Sequence, residues 1–450
     1  MITELLKELS EINDLQVITG DMIGGDYCHD EYPGGNYVPD AVIEANSTEA
    51  VSAVMALCSR AGVPVTVRGA GTGQMGGSVP VKGGIVLSLK SMNRVLGYNS
   101  ETHILTVQPG VVLQDVKNEA DLVGMYYPPD PGETTATIGG NVATNASGPC
   151  AVKYGRTADY VAEAVIVLAN GIITDLVDKE TIMGSEGTLA VITEIGLKLI
   201  EKPKADAILL FPFMDAESAI NAAKAIMDAG YDPAVVEYMD TDLIEFSGNV
   251  TGNPVFPVEI DGERVGGTLM VTIEGEDDDN VMEKMETIAE MAEEGEIECL
   301  DILVGDSVSM KREFWAAHSA FHTSMESGAK SAREINIDVP ADAMPEMIEF
   351  AKQLGEEMGV KTLLHAHVGS GGMHIHVASD LTKAELAPIY AEIAGEIYAK
   401  CVELGGNPRG EYGYGYGKIP YVTDDVKKEF INNKAVLDPK GILNPGKIVD

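Results

Sequence analysis

Residues VRGAGTGQMGGSV, Val67 to Val79, contain the spacing G-x-G-x-x-G at Gly71, Gly73 and Gly76. In a doubly wound dinucleotide-binding turn, such a loop must open a helix whose N-terminus faces the pyrophosphate. Here it runs into SVPVKGGIVLSLK, where Pro80, the pair Gly83 and Gly84 and the β-branched run after them leave no room for a helix. A doubly wound fold built on this turn is therefore excluded. What remains is a dense glycine loop after a strand, read either as a tight turn or as a place where backbone N–H groups approach an anion unobstructed by side chains.

The texture around the loop is α+β. Short β-rich runs (VPVTVRG, GGIVLSL, HILTVQPGV, AEAVIVLANG, LAVITEIGLKLI) are broken by glycine turns as far as about Lys202, and the helical stretch STEAVSAVMALCSRAG precedes the first of them. From about Ala205, longer strands and helices alternate, which predicts a second domain with a sheet carrying helices on one face. A segment punctuated by Pro and Gly ends the chain and is expected to return to the first domain. The expected boundaries are 1–203, 204–424 and 425–450. A length of 450 residues fits two or three cores.

Asp plus Glu number 71 against 31 Lys plus Arg, a formal charge of −40, which argues against nucleic acid or an anionic membrane surface as partner. The start, MITELLKELSEINDL, lacks the regions of a signal peptide, and no window approaches the roughly 18 apolar residues of a membrane span. A cytoplasmic location is expected. Cys28, Cys58, Cys150, Cys299 and Cys401 form no CxxC pair, so neither an iron-sulfur cluster nor a zinc knuckle is encoded.

Two further glycine-rich stretches accompany the loop: PPDPGETTATIGGNVATNASGPCAVKYGRTADYV and MGSEGTLAVITEI. Each alone reads as a turn between strands. Together they resemble the FAD-binding domain of the vanillyl-alcohol oxidase (PCMH) type flavoproteins, in the branch of glycolate oxidase large subunits, D-lactate dehydrogenases and D-2-hydroxyglutarate dehydrogenases. The matching segments are Arg68 to Gly77, Pro128 to Pro131, Thr137 to Pro149, Lys153 to Val161, Gly184 to Thr193 and Leu437 to Lys447. The resemblance implies a two-domain flavoprotein, an FAD domain followed by a cap domain. It implies FAD contacts at Arg68, Gly69, Ala70, Gly71, Thr72, Gly73, Gly76 and Gly77 in the loop, and at Pro129 and Asp130. Further contacts are implied at Thr137, Gly139, Gly140, Asn141, Asn145, Gly148, Tyr154 and Gly155, and at Glu186, Gly187, Val191, Ile192 and Asn444.

In the second domain, HAHVGSGGMHIH holds four of the eight histidines. GSGG as a four-residue turn predicts an antiparallel hairpin with His367 opposite His374 and His365 opposite His376, all four rings on one face. Such a face is either a cation site or a hydrogen-bonded core network. The segment resembles H-x-G-D-G-N-x-H of the same branch, which implies a divalent metal (zinc, iron or manganese) on His367, His374 and Glu411, the last from EYGYG. Ser370 and Gly372 replace the Asp and Asn of the family turn, Tyr412 replaces the family's candidate base, and His318 stands where an arginine grips the substrate carboxylate. His365, His376 and Tyr412 are the candidate proton acceptors. The implied activity is oxidation of a small 2-hydroxy acid. An electron-transferring flavoprotein or an iron-sulfur subunit is the implied acceptor, and a homo-oligomer is compatible with the sequence. The alternatives are an FAD enzyme acting on another alcohol and a non-catalytic flavin-binding subunit.

Overall fold

A computed structural model describes residues 2–176 and 178–449, which divide into two compact units. The first comprises residues 1–147, 156–202 and 411–450, and the second residues 148–155 and 203–410. The return to the first unit thus begins at Glu411, ahead of the boundary expected at 424.

In the first unit, β1 (Leu15–Ile18), β2 (Ala41–Ala45), β3 (Val65–Arg68) and β4 (Ile85–Ser88) form a sheet of order β1-β2-β4-β3. The pairs β2–β4 and β3–β4 are parallel. The helix Thr48–Ala61 makes the crossover from β2 to β3. Ser47 caps it by accepting from the Ala50 amide, and Gly62 ends it at φ +66°. Its Val51, Val54, Met55 and Cys58 are buried with Ile43, Val65, Ile85 and Leu87 of the sheet, each large apolar side chain contributing about 1.5–3 kcal/mol. A second, antiparallel sheet has the order β5-β6-β9-β7-β8, from β5 (Val95–Asn99), β6 (Ile104–Val107), β7 (Val161–Val167), β8 (Ile173–Asp175) and β9 (Val191–Lys198).

The end of the chain extends the edge of the first sheet: the Val65 amide donates to Ile442 O at 2.7 Å, and the Asn444 amide donates to Val65 O at 2.6 Å. Asp438, 2% exposed, organises that segment. Its carboxylate accepts from the Ile442 and Leu443 amides at 3.1 and 2.7 Å and pairs with Lys434 Nζ at 2.8 Å.

The second unit is built on a seven-stranded sheet of order β15-β10-β14-β11-β17-β18-β16, with neighbouring strands antiparallel. The strands are β10 (Ala205–Phe213), β11 (Val235–Asp240), β14 (Gly267–Gly275), β15 (Leu303–Gly305), β16 (Ser331–Asp338), β17 (Lys361–His367) and β18 (Gly372–Ser379). The hairpin β12 (Glu259–Ile260) with β13 (Glu263–Arg264) stands apart from it. Helices cover both faces of the sheet, not one. Helix Val308–Gly328 meets one face, where His318 faces His365, and Gly355 of helix Met344–Met358 lies against Thr362 on the other. The reason is visible in AILLFPF and TLMVTIEG, which are apolar without alternation and buried along almost their whole length, as strands covered on both sides must be.

Replacing Asp438 by Ala removes a buried acceptor, leaves the Ile442 and Leu443 amides without it and takes the counter-charge from Lys434. The expected loss of stability is roughly 3 kcal/mol, read as a lowered denaturant midpoint of the purified protein.

Candidate functional site

The histidine hairpin pairs two residues away from the expected register. His365 lies opposite His374, His367 opposite Gly372 and Leu363 opposite His376. The turn starts one residue earlier than expected because the Val368 amide leaves the hairpin to donate to Val236 O of β11, and because Gly371, at φ +89°, closes the turn onto His367 O. The offset is an even number of residues, so no side chain changes face. The rings of His365 and His374 stack at 4.4 Å and 3°, and His376 stacks on His365 at 5.4 Å. His367 meets His374 edge-on at 4.9 Å.

Two carboxylates share that face, Glu237 from β11 and Glu334 from β16. Glu237 Oε1 lies 2.5 Å from His367 Nδ1, and its Oε2 lies 3.0 Å from His318 Nε2. Glu334 Oε1 lies 2.5 Å from His374 Nδ1, and its Oε2 lies 3.2 Å from His322 Nδ1. Burial works against ionisation of Glu237, but facing His367 and His318 outweigh it and hold the acid below its ordinary range. At Glu334 burial is likewise outweighed, by His376, His322 and His374, and the acid is held well below its ordinary range. Burial, reinforced by the surrounding imidazoles, drives His365 well below the usual histidine value. It takes His376 down to about 4 despite the pull of Glu334. The consistent state is two ionised carboxylates with His365 and His376 neutral.

A neutral imidazole that donates Nδ1–H to a carboxylate presents a lone pair at Nε2. In this arrangement His367 Nε2 and His374 Nε2 face each other at 3.1 Å. Two lone pairs at that separation repel unless a proton or a cation lies between them. Ligand nitrogens about 2.0–2.1 Å from one ion, at angles between square and tetrahedral, are roughly 2.9–3.4 Å apart, so the pair fits a divalent metal. His365 Nδ1 and His376 Nε2 are buried without a hydrogen-bond partner.

His318 does not stand free to grip a substrate carboxylate. It is 9% exposed and engaged with Glu237. Glu411 belongs to the first unit, where it is buried and accepts from Ser147 Oγ at 2.9 Å, and Tyr412 follows it there. Glu237 and Glu334 were missed from sequence. For Glu237 the available signal was an acid between Val236 and Tyr238 in AVVEYMD, since a buried charge requires partners, whereas nothing local sets Glu334 apart in the mixed run SAREINID.

In the first unit the glycine loop is moulded from behind. A Cβ on Gly69 would come within 2.1 Å of Thr137 Oγ1, and one on Gly71 (φ +83°) within 1.9 Å of the Arg68 guanidinium. A Cβ on Gly76 (φ +78°) would come within 2.2 Å of the Tyr416 ring. Arg68 itself donates to His29 O at 2.9 Å and to Ser78, so its charge is engaged in shaping the loop. The amides from Ala70 to Gly77, which include Thr72 and Gly73, donate to no carbonyl among the described residues. A row of free backbone donors with no side chain in front of it fits the pyrophosphate of a dinucleotide.

Thr137 precedes the helix Ile138–Thr144, in which Gly139 packs on Pro109 and Asn141 Nδ2 is buried without a partner; Gly140 belongs to the same turn. Asn145 ends that helix at φ +51°, and its side chain accepts from the Ala158 amide. Pro129 and Asp130 lie in the segment before it, and Val191 and Ile192 are buried in β9. Glu186, just before Gly187, accepts from the Tyr414 and Gly415 amides, each at 2.7 Å, and Asn444 Nδ2 donates to Gly77 O and Glu186 O at 2.9 and 2.8 Å. These two residues latch the returning chain to the loop. Gly148, Tyr154 and Gly155 fall in the second unit, where the Tyr154 hydroxyl donates to Glu274.

Residues 39–176 match the FAD binding domain, and residues 202–448 match the C-terminal domain of FAD linked oxidases. The chain is 37% identical to a D-lactate dehydrogenase of Anaerostipes hadrus, over 99% of this chain and 97% of that one. It is 31% identical to glycolate oxidase subunit GlcD of Bacillus subtilis, over 94% and 91%. In fold it is similar to p-cresol methylhydroxylase, with a TM-score of 0.80 at 17% identity over 100% of this chain and 97% of that one. Alkyldihydroxyacetonephosphate synthase gives a TM-score of 0.78 at 19% identity, over 98% and 84%. The chain belongs to the FAD-linked oxidases of the PCMH fold and is an FAD-linked oxidoreductase. No helix among the described residues is long and apolar enough to cross a membrane.

Gly76→Ala places a methyl group against Tyr416 at a backbone conformation that disfavours it. The purified variant is expected to carry less than about half the flavin of the wild type, read from its visible absorbance. Behind the same loop, burial raises the Asp30 carboxyl to about 6, against the pull of the Tyr32 and Ser78 amides and of Arg68. Its stabilising contribution is full below the unfolded value near 4 and is lost as pH rises through about 6. Denaturation of flavin-free protein at pH 4 and pH 7 should therefore differ between wild type and Asp30→Asn by about 2–3 kcal/mol, the wild type losing more on going to pH 7.

Proposed function

We propose that the protein oxidises a small 2-hydroxy acid, of the D-lactate or glycolate type, to the 2-oxo acid with bound FAD and a divalent metal. The observation that carries this reading is the convergence of His367 Nε2 and His374 Nε2 at 3.1 Å, with both Nδ1 atoms tied to buried carboxylates. The names of the two relatives support the substrate class. Glu411 supplies the third ligand, a role supported by its place in EYGYG and by its burial. When bound, FAD accepts hydride at N5, and zinc, iron or manganese lowers the pKa of a chelated hydroxyl.

The chain's own residues do the rest. Backbone amides of the loop from Gly69 to Gly77 hold the pyrophosphate without competing side chains. Thr137, Gly139, Asn141 and the strand residues Val191 and Ile192 line the remainder of the flavin. His367 and His374 orient the substrate by its two oxygens, and burial of the pair excludes water. His365, neutral and with Nδ1 unpartnered beside His374, is the proton acceptor favoured over His376, whose ring lies beside Glu334, and over Tyr412. The five cysteines form no CxxC pair to hold a cluster, and the electrons leave to an external acceptor, an electron-transferring flavoprotein or an iron-sulfur subunit.

Anaerobic mixing of metal-analysed protein with D-lactate, glycolate and larger 2-hydroxy acids should bleach the flavin. His374→Ala should keep its flavin, lose its metal and reduce the flavin about 10²–10³-fold more slowly. Full-rate reduction in metal-free protein, or bleaching by simple alcohols with peroxide release and no metal requirement, would overturn the reading.

A further inference from the structure

The helix Val308–Gly328 carries His318 and His322 four residues apart, so both project from one side of it. Each reaches a different buried carboxylate. His318 Nε2 is 3.0 Å from Glu237 Oε2, while the other oxygen of that group is 2.5 Å from His367 Nδ1. His322 Nδ1 is 3.2 Å from Glu334 Oε2, while the other oxygen of that group is 2.5 Å from His374 Nδ1. Two arms of the same composition, helix imidazole to carboxylate to sheet imidazole, therefore converge on the 3.1 Å pair of Nε2 atoms.

We infer that His318 and His322 are positioning residues, and that one turn of helix sets, through Glu237 and Glu334, the tautomer and ring orientation of the two metal-binding histidines. The inference rests on the cation reading of His367 and His374 given above. A carboxylate held by one N–H donor can swing about its last bond; a second donor on the other oxygen fixes its plane, and with it the plane of the imidazole it holds. Glu237 needs this most, because it is 0% exposed and its ion-pair partners among the described residues are the imidazoles of His318 and His367. The arms are unequal. His318 is 9% exposed, whereas the His322 side chain is 47% exposed and also lies 3.7 Å from Glu326. A position that the sequence resemblance gives to a substrate-gripping arginine thus serves the metal ligands instead.

The test compares wild-type holoprotein with His318→Leu, His318→Gln and His322→Leu. Competition against a chelator gives the zinc and cobalt(II) dissociation constants, the visible bands of the cobalt(II) form report ligand orientation, and flavin content and melting temperature report the fold separately. His318→Leu should weaken metal binding roughly 10–100-fold and shift the cobalt bands. His318→Gln, which keeps an N–H donor, should recover most of the affinity, and His322→Leu should lose only several-fold. Wild-type affinity and bands in His318→Leu overturn the inference and leave the cation reading standing. Failure of the wild type to bind either metal overturns both. Nitrogen-15 spectra of histidine-labelled, zinc-loaded wild type give a check that needs no variant: His367 and His374 should carry the proton on Nδ1 with Nε2 on the metal, and an Nε2–H form of either would overturn the inference.

Discussion

A carboxylate inside a sheet must find compensating hydrogen bonds or distort what surrounds it, and one face of this sheet holds two, Glu237, 0% exposed, and Glu334, whose side chain is 5% exposed. Much of the second unit follows from that constraint. Imidazoles on β17 and β18 satisfy one oxygen of each acid, and a helix across the same face supplies imidazoles for the other. The apolar ring of Phe321 on that helix packs against His318 and His365, so the element that completes the polar cluster also covers it. The consequence for chemistry is directional: with both Nδ1 atoms engaged, the Nε2 atoms of His367 and His374 turn toward each other.

The first unit solves the opposite problem. There the functional surface is main chain, and the task is to keep side chains away from it. Glycines at 69, 71 and 76 are required because Thr137, Arg68 and Tyr416 occupy the space where a Cβ would go. The loop is held from behind by Arg68, Asp30 and Ser78, and from the far end of the sequence by Asn444 and the Glu186 latch. A segment more than 300 residues downstream thus closes the same piece of backbone.

Legibility from sequence followed the range of the forces involved. The strands after VPV, GGI, HIL, AEA and LAV could be read because alternation and glycine punctuation are local. Short edge strands such as β1 and β5, and the half-polar β16, could not, since their pairing depends on partners distant in the chain. The hairpin register was misplaced by two residues because Val368 is captured by Val236 on a neighbouring strand, a contact invisible to local rules. The expected single helical layer failed for a similar reason, and the pairing of His318 with Glu237, 81 positions earlier, was hidden in the same way.

The sequence by itself determined the family, the glycine loop that admits no helix after it, and the clustering of four imidazoles on one face, because residue type, spacing and strand parity are properties of the chain. Only the tertiary structure decided which nitrogen of His367 and His374 faces a carboxylate, which acids lie beside them, and that His318 faces an acid. Those depend on which strands become neighbours in the sheet and on where one helix crosses it.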